Sequence, residues 1–214
     1  MRRFKRGTIA KAVVASVVTA AMLSAPATAA PPIPRGSSPA DTHVEVLDFR
    51  FDESHLSIGR GGTVIFDFVG QSHHTATDGT GMDLFDSGSV APGGPSTSFT
   101  FVAAGAYRFV CTPHVSDGMV GRISVPMRVA PARAGVHHTF TATWAAITAA
   151  SGFVYDVQVK RPGTGWASWR KATTDRQASF TPNAGKGTYR FRSRMRSLTG
   201  GEASWSEVST IRVG

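Results

Sequence analysis

The chain has 214 residues, a single cysteine and a formal net charge of +9, from 23 lysines and arginines against 14 acidic residues. One cysteine excludes an internal disulfide framework. No segment beyond residue 23 is apolar over a length that would span a bilayer, so no transmembrane helix is expected in the mature chain.

Residues 1–29 read as a secretory signal peptide. Arg2, Arg3, Lys5 and Arg6 form a positive start, residues 12–23 are apolar but short, and Ala27-Thr28-Ala29 has the small-x-small form of a cleavage site. The mature protein is therefore expected to be secreted or extracytoplasmic; Sec and twin-arginine export both stay open. Residues 30–42 follow as a proline-containing flexible segment. Beyond them, short alternating runs bounded by Gly, Pro, Asp and Ser predict strands at 44–51, 56–58, 63–68, 96–101, 106–111 and 121–125. A stretch punctuated by Pro126, Pro131 and Gly135 reads as a linker or a first edge strand. Further strands are predicted at 140–144, 153–160, 178–181, 189–195 and 210–213. Charge divides at the same place: residues 31–125 balance to −5 and residues 126–214 to +9. The expected fold is all-β, with one antiparallel β-sandwich over 43–126 and a second over 127–214.

Chemistry concentrates at Cys111. His114 lies three residues on and Met119 eight on, so one short loop offers a thiolate, an imidazole and a thioether, a soft set that suits copper. An unpaired thiol in an oxidising compartment is a buried inert side chain, half of an intermolecular disulfide or a metal ligand. A buried thiolate needs a cation beside it, and copper would supply one. A trigonal site needs one more ligand, a histidine. His43, His55, His73 and His74 are the candidates in this half. His74 is preferred because it follows the polar turn 70–72 and opens the alternating run 75–77. His73 is second, since neighbours on an extended segment face opposite sides.

Phe85-Asp86-Ser87-Gly88, Pro92-Gly93-Gly94, the run from Gly105 to His114, and Gly118-Met119-Val120-Gly121 together resemble the small blue-copper proteins, the plastocyanin, pseudoazurin and amicyanin group of cupredoxins. The resemblance implies a Greek-key sandwich and one type 1 copper held by His74, Cys111, His114 and the weak axial Met119. It also implies single-electron transfer rather than enzymatic turnover, through a redox partner docking near the exposed edge of His114. Three positions depart from the family pattern: Thr75 where Asn is frequent, Phe66 where Trp is, and His73 where Pro is. Met82 is a conceivable substitute axial donor, expected instead at a solvated rim. Copper storage or delivery to an extracytoplasmic oxidase is the alternative function. A multicopper enzyme is disfavoured, because the chain has no His-x-His pair and no second Cys-His cluster.

In the second half, Trp144, Tyr155, the run Gly187 to Arg192 and Trp205-Ser206 are similar to a fibronectin type III module, with Tyr189 at its tyrosine corner. Arg190, Arg192, Arg194 and Arg196 alternate along one strand and so share a face. That face is either solvated or a docking surface for an anionic surface or polymer; nucleic acid is not expected as a partner of an exported chain. His137-His138 reads as an exposed pair.

Overall fold

The computed structural model describes residues 41–214, so the expected signal peptide and nearly all of the 30–42 segment lie outside the described residues. The first sheet contains β1 (Thr42–Leu47), β2 (Arg50–Phe51), β4 (Gly62–Phe68) and β6 (Thr97–Phe101), in the order β2-β1-β4-β6. The second contains β3 (His55–Ser57), β5 (Thr77–Asp78), β7 (Gly105–Val110) and β8 (Val120–Val125), in the order β3-β8-β7-β5. Strict alternation explains why β4 is a strand: Val64, Phe66 and Phe68 are buried, while Thr63, Ile65 and Asp67 stay partly open. The two sheets close on an aromatic cluster. Phe109 of β7 meets Phe51 at 4.7 Å and Phe66 at 5.3 Å, both edge to face. Each such buried ring contributes about 1.5–3 kcal/mol, and Phe66 fills the place of the expected Trp within this cluster.

Two corrections to the predicted elements concern the region around the site. The run 44–51 is two strands joined by a tight turn at Asp48-Phe49, with Phe49 at φ +59°. The sheets are mixed rather than antiparallel: β1 runs parallel to β4, and β3 parallel to β8.

The remaining residues form two more sheets. One has the order β14-β11-β9, from β9 (Arg128–Ala130), β11 (Phe140–Thr143) and β14 (Gln177–Phe180). The other has the order β10-β16-β15-β12-β13, from β10 (Arg133–Ala134), β12 (Phe153–Lys160), β13 (Trp166–Thr173), β15 (Gly187–Ser197) and β16 (Ser209–Val213). The stretch after Pro126 thus supplies an edge strand to each, and β10 pairs parallel with β16. Strand β13 was not predicted: its residues show no inside-outside alternation and its pairing with β12 is irregular. Phe180, Tyr189, Phe191 and Trp169 interlock across the two sheets. Tyr189 is fully buried; its hydroxyl donates to Gly185 O and accepts from Ala184 N, both at 2.9 Å.

Residues 41–214 belong to a single compact unit. The two pairs of sheets are joined by backbone hydrogen bonds: Ala104 N to Trp144 O (2.7 Å), Ala146 N to Val102 O (2.8 Å), and a reciprocal pair between Ala106 and Ser204 (2.9 and 3.0 Å). Segment 202–204 therefore pairs with the edge of β7 left free beyond the two-residue β5. Among the described residues, no helix is long and apolar enough to cross a membrane.

Candidate metal centre

Strand β7 delivers Cys111 to the end of its sheet, where the chain enters a 3-10 segment, Thr112–Asp117, with Pro113 in its first turn. The loop is closed by its own backbone. Cys111 N donates to Met119 O, and Met119 N to His114 O, each at 3.1 Å. Gly118 reverses the chain at φ +84°, a conformation that a side chain disfavours. Met119 is buried at this closure. His74 arrives from the other side, held by a reciprocal backbone pair with Val90.

These elements bring together three donor atoms. His74 Nδ1 lies 3.5 Å from Cys111 Sγ, His114 Nδ1 lies 3.3 Å from the same sulfur, and the two Nδ1 atoms are 3.2 Å apart. One ion at ordinary bond lengths of about 2.0–2.3 Å to each of three trigonal ligands requires donor spacings of about 3.5–4 Å, so the donors lie within a few tenths of an ångström of this spacing. Among the described residues, this is the one group of three His, Cys, Asp or Glu side chains with ligand atoms converged to metal-binding distance. Cys111 and His74 are fully buried, and His114 is half-buried. His73 is exposed and meets Ser89 instead, His43 pairs with Asp67 at 2.7 Å, and His55 is exposed beside Ser54. Met82 is buried rather than at a solvated rim, and its backbone N–H is taken by Asp78. Its loop lies against Gly201.

Asp48, which sequence reasoning did not single out, orients the first histidine. Its Oδ1 accepts from His74 Nε2 at 3.2 Å, which puts the ring proton on Nε2 and turns the Nδ1 lone pair toward Cys111. The backbone N–H of Gln71, followed by the His74 ring, holds the Asp48 carboxyl below its ordinary range. The next residue, Phe49, is 55% exposed and sets its ring edge-on to His114 at 4.8 Å.

The substitution at Thr75 is resolved by a chain of hydroxyls. Thr112 N donates to Thr75 Oγ1 at 2.8 Å, and Thr77 Oγ1 lies 2.9 Å from both Thr75 Oγ1 and Asp86 Oδ1. A carboxylate only accepts, so the one Thr77 proton goes to Asp86 and Thr77 accepts from Thr75. The backbone N–H of Thr75 also donates to Cys111 Sγ at 3.4 Å. The cysteine loop is thus braced through three threonines. Thr75→Val is expected to lower stability by about 1–2 kcal/mol and Thr75→Ser to retain most of it, read from denaturant midpoints; an unchanged midpoint in the valine variant would show that the brace contributes nothing.

A family model described as copper binding proteins, plastocyanin/azurin family, matches residues 40–126. This part of the chain is a cupredoxin domain. Copper is the ion its donor set takes. Similar solved structures include an oxidised plastocyanin from Dryopteris crassirhizoma (23% identity, 39% of this chain and 99% of that one, TM-score 0.35). An oxidised amicyanin mutant (22%, 39% and 80%, 0.35) and a purple cupredoxin from Nitrosopumilus maritimus (19%, 39% and 98%, 0.36) are also similar. No curated protein matches the chain. In the cupredoxin domain, sheet ends carry the donors and loops brace them, so the fold sets the ligand geometry.

Proposed function

We propose that the protein is an exported type 1 copper carrier that passes single electrons between redox partners, with His74, Cys111, His114 and the axial Met119 as its ligands. The convergence of two imidazole Nδ1 atoms and one cysteine sulfur at 3.2–3.5 Å carries this reading. Copper supplies the one-electron couple. The chain's own residues do the rest. Asp48 fixes the His74 tautomer, the threonine brace holds the Cys111 loop, and burial keeps solvent off the sulfur, so the donors stay in place between oxidation states.

His114 is the way in and out. It is half-buried, with exposed Phe49 packed on its ring and exposed Val115 following it, an apolar rim on which a redox partner can dock. Phe49→Ala is expected to slow electron self-exchange between oxidised and reduced protein several-fold to about tenfold, while the copper absorption is unchanged. An unaltered exchange rate would remove Phe49 from the docking face. Rapid loss of the ion to a copper-free acceptor, with slow self-exchange, would favour delivery over electron transfer.

The domain limits proposed are a signal peptide over 1–29, a flexible segment over 30–42, the copper domain over 43–126 and a fibronectin type III-like domain over 127–214. The buried Tyr189 hydroxyl, bonded back to Gly185, supports that last label. The basic C-terminal domain is proposed to contact an anionic surface or polymer.

A further inference from the structure

The arginine stripe of β15 divides into two parts. Arg194 and Arg196 are committed internally: Asp156 lies 3.6 Å from Arg194 and 3.0 Å from Arg196, and Glu202 also bonds Arg194. Arg192 is held by Gln158 at 2.7 Å and lies between the rings of Trp166 and Trp205, at 4.3 and 4.8 Å. These three guanidiniums brace the sheet. Among the described residues, Arg190 has no such partner.

Around Arg190 the sheet gathers more cations. Lys160 of β12 stands directly opposite it in register, and Arg133 of β10 stands opposite Arg212 of β16. Burial alternation places Arg190, Arg212 and Lys160 on the outer face, where Arg133 is also exposed. The four cations occupy four neighbouring strands, β10, β16, β15 and β12, across about 15 Å. Among the described residues, none of them has an acidic side chain within ion-pair distance. Like charges placed directly opposite each other disfavour the sheet, and the two opposed pairs are relieved when an anion covers them.

We infer that this row is the binding face for a linear phosphate-bearing polymer. A flat row of separated cations suits an extended chain of charges rather than one small anion, and guanidiniums suit phosphate oxygens. The hydroxyl residues Thr188 and Thr210 lie in register between the cations, and Trp166, opposite Lys160 at the end of the row, is stacked against the Arg192 guanidinium rather than free to enter a lipid surface. The place of the row fits a tether. On β15 the joint with the cupredoxin domain is reached at Met195, whose backbone accepts from Ala203 next to the Ser204 that pairs with Ala106, while Arg190 lies five residues toward the other end of the strand. On β7 the joint is at Ala106 and the copper loop begins past Val110. Row and copper site thus lie a strand's length from the joint on either side, and a polymer on the row leaves His114 free.

The inference rests on the anionic-contact reading above, and one experiment separates the two. The copper-loaded full chain is titrated with long-chain inorganic polyphosphate at low and high salt, alongside a row variant (Lys160→Ser, Arg190→Ser, Arg212→Ser) and a charge-matched control (Lys171→Ser, Arg176→Ser, Lys186→Ser). Wild type and control should bind with similar, salt-sensitive affinity and the row variant on the order of tenfold or more weakly, with an unfolding midpoint no lower than wild type. Equal weakening in the two variants overturns the row and leaves only net charge. Absence of wild-type binding to both polyphosphate and anionic lipid vesicles overturns the anionic-contact reading itself. Sedimentation with anionic lipid vesicles but no polyphosphate binding makes the partner a membrane and overturns the polymer.

Discussion

Adding Cu(II) to the wild-type chain is expected to produce an intense thiolate-to-copper charge-transfer band, and Cys111→Ser is expected to abolish it completely. The only thiol in the chain is Cys111, and it is buried with two Nδ1 atoms and the Thr75 N–H directed at it. A serine hydroxyl keeps the shape of the side chain but does not ionise under ordinary conditions, so the variant retains two imidazoles without the polarisable anion that gives the transition. Colour that survives the substitution would sink the type 1 assignment. The same substitution reports on stability. An ion that binds only the folded chain adds about 2.7 kcal/mol at a free concentration a hundred times its dissociation constant. Copper should therefore raise the unfolding midpoint of wild type much more than that of Cys111→Ser, and a chelator should bring the two together.

The loop that carries the site was legible because its chemistry is local. Cys111, His114 and Met119 lie within nine residues, and Gly118 marks the reversal that closes them. What reaches the loop from far away in sequence was not legible. Asp48 meets His74 across 26 positions, and its neighbour Phe49 is an aromatic residue that reads as strand yet occupies a left-handed turn. Thr75 was visible as a departure from a family pattern, but the remedy was not, since the chain to Asp86 depends on β5 bringing Thr77 alongside. The arginine stripe shows the same limit. Alternation places four guanidiniums on one face, and only the pairing of β15 with β12 reveals that Asp156 neutralises part of it.

Gly201→Val is expected to separate the two halves of the molecule into independently unfolding parts. A Cβ built at Gly201 would overlap the carbonyl carbon and oxygen of Gly81 and lie 2.8 Å from Met82 N, all backbone atoms with little room to yield. The residue also sits at φ +80°, where a side chain costs about 1–2 kcal/mol, and forced packing adds about 1–3 kcal/mol. A loss of roughly 2–5 kcal/mol follows, concentrated where Glu202 N meets Thr80 O and Ser204 pairs with Ala106. Two probes read the halves separately. All four tryptophans, Trp144, Trp166, Trp169 and Trp205, lie beyond Pro126, whereas the copper band reports the cupredoxin domain. Wild type should lose both signals in one coincident denaturant transition. In Gly201→Val the transitions should part. Gly200→Ala, at φ +130° in open space, tests backbone strain without the clash and should keep them together at a somewhat lower midpoint. Coincident curves in the valine variant at the wild-type midpoint would mean that the Gly81–Gly201 approach does not hold the joint, and the backbone pairs at Ala104, Ala106 and Ala146 would then carry it.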